Sequence, residues 1–185
     1  MFKGGPRHRD TMADNPLTIL HQLRDISGAP ETVGLTDEII AQFCATDTQL
    51  VQAINEASAT HQALIEEFGM DVMTLPESEL IPHLQEDYVN FYAPATVNPY
   101  IPIAGRGPWL VTSSGAVLHD NGGYGMLGSG HGPDSIIKAM SQNWIMANIM
   151  TPSFSQKRLG ERLRKELGHT RGYCPFDRFI CMNSG

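Results

Sequence analysis

A glycine-rich segment over residues 121–133 is the first part of the chain whose composition indicates chemistry. It holds six glycines in thirteen residues, and glycine lets a backbone approach a ligand or another chain closely. It lacks the Gly-Lys-Ser/Thr of a nucleotide-binding loop. Its GxGxxG at Gly123, Gly125 and Gly128 lacks the acidic residue and βαβ unit of a dinucleotide site. The segment is therefore either a ligand-contacting loop or an ordinary structural loop.

His131 lies near the end of this loop and brings an imidazole to it. The seven histidines of the chain show neither HxxxH nor HExxH spacing, the patterns that bring two imidazoles to one metal ion. We therefore predict no metal site. His131 is either an acid–base group or a packed, hydrogen-bonded residue.

The last ten residues, Phe176 to Gly185, form the second segment with chemical potential. An apolar strand predicted over Arg178–Met182 leads into Asn183-Ser184-Gly185. Small residues after a buried strand let backbone N–H groups point at an anion, and a following helix would add its dipole. Ser184 and Gly185 are thus candidate phosphate ligands, with a common turn as the alternative.

Capping residues and apolar periodicity predict a run of helices before residue 86. The first helix, over 16–26, begins after Asn15 with Pro16 at its first position. Thr36 caps the second helix, and a third, longer helix begins after Asp47 and ends at Gly69. A further helix over 73–85 contains Pro76 near its start and is interrupted at Pro82. The long helix after Asp47 has one apolar face, made of Leu50, Ile54, Ala57, His61, Leu64 and Phe68. That face indicates packing on a helical neighbour, with a coiled-coil partner as the alternative.

Prolines and aromatic residues change the pattern over residues 86–110, which we predict to be an extended segment laid across another surface. From Trp109 onward the pattern alternates between strand and helix. The predicted elements are strands Trp109–Thr112 and Ala116–His119 around a Ser113–Gly115 turn, then helices over 134–144 and 152–167. The predicted fold class is therefore α/β.

These patterns also predict the domain organisation. Residues 12–85 form a helical N-terminal extension that is separable from residues 86–185. Residues 1–11 are expected to be a leader or a disordered tail, with Met12 as an alternative start.

Composition excludes several classes of protein. The net charge of −7 argues against a nucleic-acid partner. The sequence contains no run of about eighteen apolar residues, so no membrane span is predicted. No signal peptide is recognised. The spacing of Cys44, Cys174 and Cys181 matches no disulfide framework, so a reducing cytoplasm is the expected compartment.

The order of these segments resembles the beginning of the class III aminotransferases, within the type I fold of pyridoxal-phosphate enzymes. The resemblance covers about residues 98–185. It is carried by the paired strands, the Gly-Tyr-Gly loop ending at Gly130-His131, the Thr151-Pro-Ser-Phe154 segment, and the Phe-Asp-Arg strand that ends in Asn-Ser-Gly. The second histidine of the family's Gly-His-x-His-Pro is absent here.

This resemblance implies the opening elements of a large domain built on a mostly parallel sheet, with pyridoxal 5'-phosphate as cofactor and a homodimer as assembly. The implied reaction moves an amino group between an amine or ω-amino acid and a keto acid. Ser184 and Gly185 would begin the phosphate loop, and Tyr124 would lie on the substrate side of the cofactor. Phe154 would lie near the active site and the dimer interface. For both aromatic residues, a place in the core is the alternative.

The lysine that forms a Schiff base with this cofactor has no candidate in the chain. Lys3 is in the tail, and Lys138, Lys157 and Lys165 lie on polar faces of predicted helices. We therefore expect the chain to be the N-terminal part of such an enzyme, inactive by itself. An aminomutase, racemase or decarboxylase of the same fold is the first alternative. A non-catalytic interaction module using residues 36–69 is the second.

Overall fold

The computed structural model describes residues 15–89, 100–121, 128–145 and 151–180. These residues form two compact units, one up to Met140 and one from Ser141 onward. In chain order the elements are α1 (Pro16–Ile26), α2 (Asp37–Cys44), α3 (Thr48–Phe68), α4 (Met70–Met73), α5 (Glu77–Gln85), β1 (Pro102–Arg106), β2 (Trp109–Thr112), β3 (Val117–His119), α6 (Asp134–Met140) and α7 (Phe154–Gly168).

Local capping explains where the N-terminal helices begin and end. The Asn15 side chain accepts a 3.0 Å hydrogen bond from the Leu17 N–H, and Pro16 occupies the first turn of α1. Asp47 caps α3 in the same way, and Gly69 ends it with a φ of 92°. These predictions are confirmed. Thr36 precedes α2 as predicted but makes no side-chain capping bond.

Helix α5 continues through Pro82, so the predicted interruption there is wrong. Proline removes one donor from the helix. The part of α5 before Pro82 is held by tertiary contacts, because Glu77 and Leu80 are buried, and residues 83–85 after it are exposed. Packing of the first part of α5 therefore anchors the helix that Pro82 continues.

The sheet of the first unit is three-stranded and antiparallel, in the order β1-β2-β3. The hairpin of β2 and β3 around Ser113 to Gly115 confirms the prediction. Strand β1 was not predicted, because Pro102 and its neighbouring prolines indicated an extended segment without pairing. Pro102 is the first residue of an edge strand, where its missing N–H is tolerated. The described residues are thus mixed α/β, and every described strand pairing is antiparallel.

One hydrophobic core joins the helices to the sheet. Its members from α1, α2 and α3 include Leu20, Ile40 and Leu50, and its members from the sheet include Trp109 and Val111. Each fully buried apolar side chain of this size contributes roughly 2 kcal/mol. Residues 15–85 are largely helical as predicted, but they share this core with the sheet. The predicted boundary near residue 86 therefore does not separate two cores.

The packing of α3 resolves the choice between its two interpretations. Leu50, Ile54, Ala57 and His61 are buried, and α3 contacts α1, β1 and β2. The neighbours of its apolar face are therefore a sheet and helices of the same unit.

Three further boundaries differ from the predicted ones. Helix α6 ends at Met140 and not at residue 144, and α7 begins at Phe154, after the Ser153 cap. Residues 178–180 do not form the predicted strand. A strand needs a partner for its backbone groups, and none of the described strands pairs with this segment. Cys181 and Met182 lie outside the described residues.

Within the described residues, no helix has the length and apolar composition needed to cross a membrane.

Candidate functional site

The two ends of the glycine-rich loop are held at one place in the first unit. Strand β3 ends at His119, and Asp120 follows it. At the other end, His131 pairs with Gly107 in the β1–β2 turn. The Gly107 N–H donates to the His131 carbonyl at 2.9 Å, and the His131 N–H donates to the Gly107 carbonyl at 2.8 Å. This bridge fixes the end of the loop against the sheet.

Gly130 is required by this bridge. Its φ is +74°, and a Cβ at this position would lie 2.8 Å from the Cα of Gly107. A side chain would meet backbone atoms that cannot rotate away. Gly132 also has a positive φ, of +57°. The glycine content of the loop's end therefore serves a close backbone approach.

The side chains of His131 and Asp120 also meet. The His131 Nε2 lies 3.0 Å from the Asp120 Oδ2, with the carboxylate largely shielded from solvent. The Asp120 N–H donates to the Pro108 carbonyl at 2.7 Å. Of the two interpretations of His131, the structure shows the packed, hydrogen-bonded one. The pair links the residue before the loop to the residue after Gly130.

Arg106 supports the same region from the end of β1. Its guanidinium makes a bidentate contact with Glu56 of α3 and donates at 2.8 Å to the Gly132 carbonyl. It also lies 2.9 Å from the Asp134 carboxylate at the start of α6. The hydrogen bonds to Glu56 are the main reason that the pKa of Arg106 lies above its usual value. One side chain thus ties α3, the loop's end and α6 together.

The start of the loop is held by a second group of side chains. The His119 Nδ1 lies 2.5 Å from the Asn121 Oδ1. The His119 ring stands edge-on to Trp109, with the ring centroids 4.9 Å apart. The Trp109 Nε1–H donates to Asp47, the capping residue of α3, at 2.8 Å. Each end of the loop is therefore connected to α3 through the sheet.

The site residues implied by the resemblance are placed as follows. Tyr124, Ser184 and Gly185 lie outside the described residues. Phe154 is the first residue of α7 in the second unit, and 82% of its surface is exposed. Within its unit it is therefore not a core aromatic residue.

The described lysines do not suit covalent attachment of pyridoxal phosphate. Such a lysine must be shielded from water and held toward the cofactor. Lys138, Lys157 and Lys165 are all exposed on helices, and Lys157 pairs with Glu161 of its own helix at 3.2 Å. No chemical step through the cofactor is therefore assigned to the described residues.

The second unit contains a cleft of about 560 Å³ between α7 and residues 177–180. Leu159, Leu163, Phe179 and Ile180 line it with apolar surface. Arg164 lies across it, with its guanidinium carbon 5.6 Å from the Phe179 ring centroid. In the part of the chain that the structure describes, no group of three His, Cys, Asp or Glu side chains is placed to hold a metal ion.

Sequence reasoning missed Arg106, Glu56 and Asp120. Glu56 and Arg106 are 50 positions apart, so nothing local indicates their pairing. Asp120 directly precedes the loop, and this position was the one available signal. Its partner depends on the path of the chain between residues 121 and 131.

Comparison of the chain with protein-family models, with curated proteins and with solved structures found no match.

Proposed function

We propose that this chain is part of a pyridoxal-phosphate-dependent aminotransferase of class III. The reaction moves an amino group between an amine or ω-amino acid and a keto acid. The main support is the loop closed by Asp120 and His131 directly after the β2–β3 hairpin. The resemblance assigns the substrate-side residue Tyr124 to this loop.

The order of the neighbouring elements adds support. A hairpin, a glycine loop with its ends joined, helix α6 and then helix α7 beginning at Phe154 follow one another. The resemblance to the class III aminotransferases is based on this order of elements. The fold type I sheet, the phosphate loop at Ser184 and Gly185 and a homodimer in the cytoplasm belong to the proposal. An aminomutase, racemase or decarboxylase of the same fold is the alternative that the loop does not distinguish.

Because the described lysines are exposed, the proposal gives them no role in binding the cofactor. In the proposal, the chain's described residues position a loop, and the lysine that would bind the cofactor covalently is supplied from outside these 185 residues. A non-catalytic module that binds through residues 36–69 receives no support, because α3 buries Leu50 and Ile54 against its own unit.

Reductive trapping tests the proposal. Pyridoxal phosphate is added to the 185-residue chain and to a longer product of the same gene, borohydride is added, and labelled lysines are mapped by mass spectrometry. We expect weak, unselective labelling of Lys138, Lys157 and Lys165 in the chain. In the longer product, one other lysine should carry a stoichiometric label, with turnover of an amino donor.

Two results would contradict this proposal. Stoichiometric labelling of one lysine in the 185-residue chain, with turnover, would refute the assignment of the lysine. A longer product with neither a specific label nor turnover of any amine or ω-amino acid would refute the family. Turnover by racemisation or decarboxylation would favour the alternative reactions.

A further inference from the structure

His61 is the last buried residue of α3. The buried face of this helix runs from Leu50 through Ala57 to His61, of which only 2% is exposed. Residues 62–68 complete the helix, and each of them is exposed or half-buried. Gly69 then ends it with a φ of 92°, at a position where a Cβ would meet nothing within 4 Å. His61 is therefore the residue that joins the end segment of α3, residues 62–68, to the interior of the first unit.

The buried imidazole of His61 has one ring nitrogen without a hydrogen bond. Within the described residues, its Nε2 is shielded from solvent and has no hydrogen-bond partner. A neutral imidazole leaves one nitrogen without a proton, whereas a protonated imidazole has an N–H on both nitrogens and a full positive charge. A buried charge without a partner is strongly disfavoured. Burial accordingly lowers the pKa of His61 below its ordinary value of 6.5.

The charged groups on the first two helices do not compensate a protonated His61. Helix α3 contacts α1, α2, α4, β1 and β2. On α1 and α2, the side chains of His21 and Arg24 bond to Asp37. The carboxylates of Asp25 and Glu38 are exposed. These charges are therefore paired with one another or hydrated by solvent.

The charged groups of the other contacting elements and of α3 itself are also paired or exposed. Arg106 of β1 makes its bidentate contact with Glu56 of α3, and β2 carries no charged side chain. Three acidic side chains on α3 and α4 are exposed: Glu66, Glu67 and Asp71. The thiol of Cys44 on α2 stays neutral, because burial raises its pKa. No described charge on these elements is therefore placed to hold a protonated His61 in the folded state.

We propose that His61 is a pH-sensitive anchor, which holds the end segment of α3 on the first unit while it is neutral and releases this segment when it is protonated. Release brings the imidazole into water, where its charge is hydrated. Because the pKa of His61 is lower in the folded state than in water, the anchor has its full strength above about pH 6.5 and weakens as the pH falls below that value. The opening is local. It does not depend on the proposed function, since no cofactor or substrate takes part in it.

Hydrogen exchange measured by NMR on the 185-residue chain, at about pH 7.5 and pH 5.5, tests the anchor. The amides of residues 64–69 report on the end segment, and among them the Gly69 N–H donates to the Ile65 carbonyl at 3.0 Å. After correction for the intrinsic effect of pH on exchange, we expect the opening of these amides to increase about threefold to tenfold at the lower pH. Tenfold is the limit set by an imidazole that titrates near 6.5 in the open state.

The Leu35 amide, which donates to the Val117 carbonyl at 2.9 Å, reports on the rest of the first unit. At the lower pH it should remain at least about tenfold better protected than the amides of residues 64–69, because the release is local. The ring protons of His61 give a second readout in the same sample. They should titrate at a lower pH than those of His83, an exposed histidine on α5.

Three variants connect the effect to the imidazole. His61→Leu keeps an apolar side chain of similar size, and His61→Gln keeps a polar group that gains no proton. In either variant the opening of residues 64–69 should differ by less than about 1.5-fold between the two pH values. If one of the two fails to fold, the other decides. His83→Gln removes a histidine whose Nδ1 lies 3.7 Å from Glu86. It is the matched control and should keep the wild-type response.

Several results would refute the anchor. The opening of residues 64–69 could be the same at both pH values, or a folded His61 variant could keep the wild-type response. Amides that are already unprotected at the higher pH would show that His61 holds nothing. Protection equal to that of Leu35 at the lower pH would mean that the segment opens only with the whole unit. A His61 ring that titrates together with His83 would refute the buried neutral imidazole itself.

Discussion

The carboxylate of Glu77 on α5 accepts a 2.7 Å hydrogen bond from the hydroxyl of Ser114 in the turn between β2 and β3. The same carboxylate accepts hydrogen bonds from the N–H groups of Glu31 and Thr32, at 2.6 and 2.7 Å. Only 2% of Glu77 is exposed. One buried charge therefore connects α5, the segment after α1 and the β-hairpin, and its charge is compensated by hydrogen-bond donors of Ser114, Glu31 and Thr32.

Replacing Glu77 should destabilise the first unit. In Glu77→Ala the donors of Glu31, Thr32 and Ser114 lose their acceptor, and we expect a loss of about 3 kcal/mol in the free energy of unfolding. Urea denaturation followed by circular dichroism measures it. Glu79→Ala on the exposed side of α5 is the matched control and should change stability by less than about 0.5 kcal/mol. Equal effects of the two substitutions would contradict a structural role for Glu77.

The stability of the unit should also depend on pH through Glu77. Burial raises the pKa of this carboxyl, but the hydrogen bonds from Ser114, Thr32 and Glu31 together lower it by more, to below its ordinary value of 4.5. A carboxyl with a lowered pKa in the folded state adds stability above the unfolded-state value. That stability is lost as the pH falls through the folded-state pKa.

The urea midpoint of the wild type should therefore fall as the pH is lowered from about 6 to about 3. Glu77→Gln should show a shallower fall, because this position no longer titrates. Some slope should remain in the variant. The pKa of Asp37 is also lowered, chiefly by its hydrogen bond from His21 and then by that from Arg24. Parallel curves for wild type and variant would show that Glu77 does not contribute.

A series of glycine substitutions should separate steric contact from backbone strain. Gly128 and Gly130 both have a φ of +74°. A Cβ at Gly128 meets nothing within 4 Å, whereas one at Gly130 would lie 2.8 Å from the Gly107 Cα. We expect Gly128→Ala to cost about 1 kcal/mol and Gly130→Ala about 3 kcal/mol or more.

Gly160, in helix α7, is the control position, where alanine should stabilise the protein and not destabilise it. A Cβ there meets nothing within 4 Å, and alanine in a helix is favoured over glycine by about 0.5–1 kcal/mol. Gly160→Ala should therefore raise the helix content of the second unit. Urea denaturation of the three variants measures the order. If Gly128→Ala and Gly130→Ala cost the same, the close approach of Gly130 to Gly107 is not important for stability.

Trp109 should be essential to the folding of both the helices and the sheet. It is buried in the shared core, its ring lies 4.9 Å from that of Phe43, and its N–H donates to Asp47. Trp109→Ala should cost about 4 kcal/mol and should melt helix and sheet together. Trp144→Ala, at a half-exposed tryptophan in the second unit, should cost less than about 1 kcal/mol. If the helices persist in Trp109→Ala after the sheet is lost, the helices and the sheet fold independently, as the predicted boundary near residue 86 implies.

The local elements follow from the amino-acid sequence, because their causes lie within a few residues. Asn15 with Pro16 began α1, Asp47 and Gly69 bounded α3, and the Ser113–Gly115 turn joined two strands. Each of these signals is a side chain or backbone preference that acts on its own neighbours. The glycine-rich loop was identified for the same reason, since six glycines in thirteen residues form a local pattern.

The way in which those elements pack together depends on contacts between distant parts of the chain. Strand β1 exists because β2 supplies its hydrogen bonds, and residues 178–180 pair with no described strand. Helix α5 is anchored before Pro82 by the buried Glu77 and Leu80. Arg106 meets Glu56 across 50 positions of sequence, and Asp120 meets His131 across 11. Such contacts depend on where the whole chain places two residues, because one hydrogen bond is too weak to bring distant segments together without the shared core.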